Sequence, residues 1–150
     1  SKKTKDKKFI ITGTQTGEKK KLEPEDYALV EEVNLKENHV TSKGMTEPSS
    51  ESLTHATVYK ADKDINCVIH AHSQKIWEKY NELGLYYTKE NAEYGTPELA
   101  EEVQRLFNQT KVKQKRIFVL LGHEEGVVTF GKNCEEALEP LLIALAKVNE

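Results

Sequence analysis

This chain of 150 residues has few of the features that mark secreted, membrane-spanning or nucleic-acid-binding proteins. Its only cysteines, Cys67 and Cys134, lie far apart in the sequence, so they predict buried thiols in a reducing compartment rather than a disulfide framework. No apolar run approaches the roughly 18 residues that a membrane-spanning helix requires. The lysine-rich residues 1–8 lack the apolar segment that follows in a secretory signal, and we expect them to form a flexible basic tail.

An excess of charge of one sign is also missing. The chain has 22 basic and 25 acidic residues, for a net charge of -3, which argues against a nucleic-acid partner. The fingerprints of dinucleotide-binding and phosphate-loop proteins are absent, and so are internal repeats. We therefore expect a cytoplasmic protein without membrane or nucleic-acid partners, in which residues 9–150 form a single domain.

Apolar patterns typical of strands and of helices alternate irregularly along the chain. Runs rich in β-branched residues predict strands at 9–12, 27–33, 65–70, 116–121 and 127–130. Amphipathic spacing predicts helices at 53–61, 73–83, 98–108 and 135–148. This order predicts an α/β or α+β layered domain, with antiparallel pairing among the strands.

The stretch His70-Ala71-His72, at the end of a short apolar run, is the most informative part of the chain. Side chains two residues apart in a strand point to the same face, so both imidazoles converge on one point. Such a pair also arises by chance, but two converging imidazoles are two-thirds of a three-histidine zinc site. His123 follows an apolar strand between Gly122 and Gly126, and it is either the third ligand or a hydrogen-bonded turn residue.

The segment Pro48-Ser49-Ser50-Glu51 precedes a predicted helix. Two serine hydroxyls and the free N–H groups of a helix start form a pocket that suits an anion such as phosphate. Beside a divalent cation, Glu51 would serve as a general acid/base or as a fourth ligand. The alternative is an ordinary helix cap with a first-turn glutamate. His55, four residues on, either orients Glu51 or packs within the helix.

Taken together and in order, these blocks resemble the class II aldolase/adducin family. The blocks that carry the resemblance are Pro48-Ser49-Ser50-Glu51, His55, Val68-Ile69-His70-Ala71-His72-Ser73, Tyr94-Gly95-Thr96-Pro97-Glu98-Leu99-Ala100, and Gly122-His123 through Gly131. Ile11-Thr12-Gly13 is similar to the early strand and phosphate loop of that family. The resemblance extends from about Phe9 to Leu145.

The resemblance implies a central, mostly antiparallel sheet flanked by helices, and a homotetramer with active sites near the subunit interfaces. It implies a zinc ion held by His70, His72 and His123, although imidazole ligands also suit other divalent transition metals. Glu51 is then the acid/base. The residues implied to bind the substrate phosphate are Ser49, Ser50, Thr14, Thr16 and Gly17.

The sequence departs from the family pattern in three places. It begins after the usual N-terminal helix and Gly-Asn-x-Ser segment, so we expect half of the anion site to be missing or supplied otherwise. The stretch between His72 and Gly95 is shorter than usual, which leaves the interface tyrosine that donates a proton unassigned. His123 is displaced from the glycine that normally follows it, so Glu124 or Glu125 competes as a ligand.

These features predict a metal-dependent lyase of the aldolase type that acts on a small phosphorylated sugar. Zinc would polarise the substrate carbonyl while Glu51 moves the proton. Two alternatives remain open. The same site would also suit a sugar-phosphate dehydratase or epimerase, and some members of the family are catalytically silent, adducin-like assembly modules.

Overall fold

A computed structural model describes residues 1–149 of the chain. The protein forms one eight-stranded sheet with helices packed on both faces. The strands are β1 (Lys2–Lys3), β2 (Phe9–Thr12), β3 (Tyr27–Asn34), β4 (His39–Gly44), β5 (Cys67–His72), β6 (Tyr86–Tyr87), β7 (Ile117–Val119) and β8 (Gly126–Gly131). The helices are α1 (Ser52–Ala61), α2 (Gln74–Glu78), α3 (Pro97–Gln109), α4 (Val112–Lys115) and α5 (Cys134–Val148). In this part of the chain, no helix is both long and apolar enough to cross a membrane.

The strand order across the sheet is β4-β3-β2-β1-β5-β8-β7-β6. Every neighbouring pair is antiparallel except β6 and β7, which run parallel. The expected mostly antiparallel sheet flanked by helices is therefore confirmed.

The first eight residues do not behave as the expected tail. Lys2 and Lys3 form β1, which pairs with both β2 and β5 and closes the gap between them. Lys3 donates its backbone N–H to the Asn66 carbonyl at 2.8 Å. Backbone groups pair regardless of side-chain charge. The Lys2 side chain is exposed, and the Lys3 ammonium group donates to the carbonyls of Lys63 and Ile65.

Two apolar clusters fill the space on the two faces of the sheet. On one face, α1 and α3 pack against β2, β3 and β8 through residues such as Val58, Val103 and Phe130. On the other face, α2 and α5 pack against β7 and β8 through residues such as Ile76, Val127 and Leu141. Because β5 and β8 are covered on both faces, they form a fixed base from which site residues project.

Two element boundaries differ from the prediction in ways that bear on the site. β5 continues to His72, because its pairing with β8 extends to the partner pair His72 and Gly126. Helix α2 ends at Glu78 rather than at 83, and the chain then turns through Gly84, whose φ of +61° suits glycine. The shorter helix brings the chain back to the sheet as β6, a strand that the sequence pattern did not predict.

Candidate metal centre

His70 and His72 project from the last residues of β5, where β8 begins on the neighbouring strand. Their imidazole centroids lie 4.9 Å apart, as expected for alternate residues on one face of a strand. His72 is exposed, whereas His70 lies deeper and is half-buried. The pair therefore lines a site that opens to solvent at one end of the strand.

His123 comes from the tight turn that joins β7 to β8. The turn is held by backbone hydrogen bonds from His123 N to Leu120 O (3.2 Å) and from Gly126 N to His123 O (2.8 Å). Glu125 adopts a left-handed φ of 62° within it. The turn places the His123 ring 4.9 Å from the His70 ring and 4.8 Å from the His72 ring, centroid to centroid.

The three histidines are spaced as ligands of one ion would be. One nitrogen of each imidazole lies within 4.8 Å of the others, and Nε2 of His70 is 3.1 Å from Nε2 of His72. Two nitrogens bound tetrahedrally to zinc, at about 2.0–2.1 Å each, lie about 3.3 Å apart. The donor set therefore fits a divalent transition metal with only small shifts of the side chains.

The protonation of His70 also suits a ligand. Burial, opposed by the negative charge of Glu51 and reinforced by the other two histidines, lowers the pKa of His70 to about 4. His70 is consequently neutral at pH 7, as a metal-binding imidazole must be. Its Nδ1 is buried beside the Val127 backbone and forms no well-aligned hydrogen bond within residues 1–149, whereas its Nε2 faces His72.

Glu51 connects helix α1 to this cluster. It immediately precedes α1, its side chain is almost fully buried, and its Oε1 accepts a hydrogen bond from Nδ1 of His123 at 2.9 Å. Donation from Nδ1 leaves Nε2 of His123 free to bind a metal, which is a common pairing of histidine and carboxylate around metal ions. Oε2 of Glu51 is buried and unpaired within residues 1–149.

Several influences set the charge of Glu51. Burial by itself raises the pKa of the Glu51 carboxyl, but the hydrogen bond from His123, the neighbouring His70 and the nearby Thr54 hydroxyl act in the opposite direction. The net result is a pKa below the ordinary value of a glutamate. Glu51 is thus a carboxylate with Oε1 committed to His123 and with Oε2 in no well-formed hydrogen bond within residues 1–149.

The other acidic and histidine candidates lie outside the cluster. Glu125 Oε2 is 3.9 Å from Nδ1 of His72, so it faces the back of that ring, and Glu124 is exposed. His55 is buried, and its Nδ1 forms a 2.6 Å hydrogen bond with Oγ of Ser1. His55 is therefore a packed residue that contacts Ser1. The histidine that hydrogen-bonds to Glu51 is His123.

The structure brings the predicted phosphate-binding segments together. Thr14 N donates to Glu47 O at 3.0 Å and Ser49 N donates to Thr12 O at 3.1 Å, so the loop after β2 lies beside the start of α1. Two hydroxyl groups of the set already have partners. Ser49 Oγ accepts from Glu51 N, and Thr16 Oγ1 donates to Gly13 O.

The remaining members of that set are more open. The side chains of Thr14 and Ser50 are exposed, and a Cβ placed on Gly17 would meet no atom within 4 Å. These three residues lie at the surface rather than packing against the core.

Sequence reasoning assigned no role to Tyr94, which lies at the edge of the cluster. Its ring packs against the His123 ring with centroids 4.7 Å apart and ring planes tilted by 36°, and about half of the residue is exposed. A Cβ on the next residue, Gly95, would lie 3.8 Å from Ser50 O, so Tyr94 stands between His123 and the start of α1. The only signal for it in the sequence is its place before Gly95 and the helix-capping Thr96.

Comparison with known proteins shows the family and the fold of this chain. The family model of the class II aldolase and adducin N-terminal domain matches residues 1–77, a segment that includes Glu51, His70 and His72. His123 and Tyr94 lie beyond the matched segment.

Two solved structures share the fold. An L-fuculose 1-phosphate aldolase superposes with a TM-score of 0.67 and 21% identity, over 94% of this chain and 71% of the other. A sugar-phosphate aldolase from Thermotoga maritima superposes with a TM-score of 0.62 and 18% identity, over 95% of this chain and 69% of the other. The matched model covers just over half of the sequence, and the chain therefore belongs to the class II aldolase and adducin N-terminal domain family.

Proposed function

We propose that this protein is a metal-dependent lyase of the aldolase type, which cleaves a small phosphorylated sugar. The observation that carries the proposal is the convergence of His70, His72 and His123 beside a buried Glu51. One oxygen of Glu51 forms no well-formed hydrogen bond within residues 1–149. Family membership and the fold shared with sugar-phosphate aldolases support the same reaction class.

The three histidines would hold zinc or another divalent transition metal. When bound, such an ion supplies a Lewis acid that draws electron density from a substrate carbonyl or hydroxyl. The neutral state of His70 favours binding at pH 7, and the hydrogen bond from His123 to Glu51 fixes which nitrogen of His123 faces the ion.

Glu51 would move the proton that carbon–carbon cleavage requires. Cleavage removes a proton from the hydroxyl group of the departing aldehyde and returns one to the carbon of the remaining fragment. Glu51 is ionised at neutral pH, and its Oε2 lies in no well-formed hydrogen bond within residues 1–149, so the side chain can accept a proton. Oε2 is the atom of Glu51 that we assign to this transfer.

Ser49, Ser50, Thr14 and Gly17 would contact the substrate phosphate, with Thr16 holding the loop after β2 in place. This division follows from the direction of the hydrogen bonds. The Thr16 hydroxyl donates its proton to Gly13 O, whereas Ser49 Oγ accepts from Glu51 N and keeps its own O–H for the phosphate. Hydroxyl and backbone N–H donors near a helix start are typical of phosphate sites. We also propose that the protein is a homotetramer and that it is located in the cytoplasm.

The test is a product analysis on a panel of ketose phosphates, using zinc-loaded protein. An aldehyde fragment together with a three-carbon phosphate supports the proposal. Loss of water or inversion at one carbon identifies a dehydratase or an epimerase instead. If zinc-loaded protein with all three histidines intact neither binds nor converts any member of the panel, the lyase proposal is wrong and an assembly role gains support.

The matched variant for this test is Glu51→Gln. It keeps the shape of the side chain but removes the base, so we expect turnover to fall by about 100-fold to 10,000-fold while zinc remains bound. The exposed Glu101→Gln serves as a control, with turnover equal to that of the unaltered protein.

A further inference from the structure

Two thiols outside the metal centre touch each other. The Sγ atoms of Cys67, the first residue of β5, and Cys134, the first residue of α5, are 3.1 Å apart, and both cysteines are free. We propose that Cys67 and Cys134 are an oxidative modification site, which a low-molecular-weight disulfide such as oxidised glutathione converts reversibly into an intramolecular disulfide. The expectation that both thiols are buried is correct for Cys67 and wrong for Cys134, which is exposed.

The two cysteines are far apart in sequence, and the fold brings them together. Cys67 pairs with Gly131 across β5 and β8, and the neighbouring Asn66 N donates to Gly131 O at 3.0 Å. The chain then turns directly into α5. A Cβ on Gly131 would lie 2.6 Å from Cβ of Glu136, so glycine is required for the first turn of α5 to approach the end of the sheet. That close approach brings Sγ of Cys134 into contact with Sγ of Cys67.

The two thiols differ in access to solvent. Cys134 is exposed, whereas Cys67 has only 3% of its surface exposed. An oxidant in solution therefore meets Cys134 first, and Cys67 can be reached only from within the protein. This asymmetry defines an attacking thiol and a resolving thiol.

The exchange takes place in two steps, each of which forms one sulfur–sulfur bond and breaks another. Cys134 loses its proton and attacks one sulfur of oxidised glutathione, which forms a mixed disulfide and releases one glutathione. Cys67 then loses its proton and attacks Sγ of Cys134, which forms the protein disulfide and releases the second glutathione. The sulfur–sulfur distance shortens by about 1 Å to the bonded value of about 2.05 Å.

The order of attack agrees with the environment of Cys67. Burial raises the pKa of the Cys67 thiol to about 12, and the contact with the Cys134 thiol contributes to the increase. Cys67 is therefore a poor first nucleophile, and its contact with Sγ of Cys134 places it to act only in the second step.

The bond would tie β5, the strand that bears His70 and His72, to helix α5. Closing a loop between residues 67 and 134 restricts the unfolded chain, and we expect a rise in Tm of roughly 10 °C. The histidines lie three or more residues further along the strand, so zinc binding should stay the same. The modification therefore stabilises the fold without occupying the metal centre.

The experiment treats reduced, zinc-loaded protein with oxidised glutathione and blocks remaining thiols in denaturant before mass spectrometry. We expect a single chain with no free thiol, no attached glutathione and a peptide link between Cys67 and Cys134. The Tm should rise by roughly 10 °C and return to its starting value after reduction with dithiothreitol.

Two variants separate the steps. Cys67→Ala leaves Cys134 as a stable mixed disulfide with glutathione, and Cys134→Ala leaves Cys67 unmodified in the folded protein. Because Cys134 is exposed, Cys134→Ala keeps the test valid even if Cys67→Ala does not fold. Two free thiols at equilibrium, a bond between two chains through Cys134, or an unchanged Tm in the linked protein would each overturn the proposal.

Discussion

His123 is the residue at which most contacts of the site meet. Its Nδ1 donates to Glu51, one face of its ring stacks on Tyr94, and its ring completes the histidine cluster with His70 and His72. A hydrogen bond to a carboxylate fixes the tautomer of an imidazole, and a stacked aromatic ring restricts its rotation. The orientation of His123 is thus determined before any ion binds.

The stacking of Tyr94 on His123 leads to a first prediction. Tyr94→Ala removes the ring and should weaken zinc binding by about 10-fold, because the imidazole gains freedom that the metal has to restrict. Tyr94→Phe retains the stack and should bind zinc within about twofold of the unaltered protein. Isothermal titration with a competing chelator measures both constants.

Tyr27→Ala is the control for this comparison, since Tyr27 is similarly exposed but lies on β3. If Tyr94→Ala and Tyr27→Ala bind zinc with the same affinity, the Tyr94 ring does not orient His123.

At the scale of elements, the turn between β7 and β8 fits closely against the segment that leads to Tyr94. A Cβ on Gly122 would lie 2.1 Å from the carbonyl oxygen of Ala92, a separation that real atoms do not adopt. The missing side chain at Gly122 therefore allows the His123 turn and the Tyr94 segment to meet.

Gly122→Ala should consequently destabilise the protein. We expect the free energy of unfolding in urea to fall by about 1–3 kcal/mol, because either the turn or the facing backbone has to move. Gly17→Ala is the matched control, since its Cβ would meet no atom within 4 Å. An equal effect of both substitutions on stability would show that the close approach at Gly122 is unimportant.

Helix α3 holds the same segment from its other side through Glu102. Glu102 accepts hydrogen bonds from the Arg105 guanidinium and from the Lys89 backbone, and Arg105 also donates to the Tyr87 carbonyl. The hydrogen bonds from Arg105, followed by those from Lys89, lower the pKa of Glu102 to about 2 against the burial that raises it.

This arrangement predicts a pH-dependent contribution to stability. The carboxylate stabilises the folded state at pH values above its ordinary pKa of 4.5, and the contribution is lost as the pH falls towards 2. Glu102→Gln should therefore lower the free energy of unfolding by about 1–2 kcal/mol at pH 7, and by progressively less below pH 4.5. Urea denaturation of both proteins across this pH range measures the difference in the free energy of unfolding. A difference that stays constant with pH would contradict the prediction.

Patterns within single elements predicted much of this fold and part of its site. Alternation along a strand predicted that His70 and His72 share a face, and a strand end flanked by glycines predicted the position of His123. Contacts between distant segments were not predictable in the same way. Lys2 and Lys3 pair in the sheet, Cys67 touches Cys134, and Tyr94 stacks on His123 only because the chain folds back on itself.

At the scale of the whole molecule, helix α5 presents an apolar surface that a second copy of the chain would cover. Leu138, Leu142 and Ile143 are each about half exposed within six residues of one helix. Exposed apolar side chains grouped in this way are typical of association surfaces. They favour self-association of the chain, and the number of copies in the proposed homotetramer is a matter for measurement.

Light scattering after size exclusion tests this assembly. We expect four 17.1-kDa chains, about 68 kDa, and a lower mass for Leu142→Asp, which places a charge on the apolar surface. Met45→Asp, at an exposed methionine away from α5, should leave the mass unchanged. A mass of one chain for the unaltered protein would remove the tetramer from the proposal.

The most direct test of the account is the zinc content of purified protein, measured beside its histidine variants. The account predicts one zinc per chain, with anomalous scattering centred between His70, His72 and His123. It also predicts that His123→Ala binds zinc at least about 100-fold more weakly, while the exposed His39→Ala binds it normally. Equal zinc affinity in His123→Ala and His39→Ala would contradict the metal centre on which the proposed function depends.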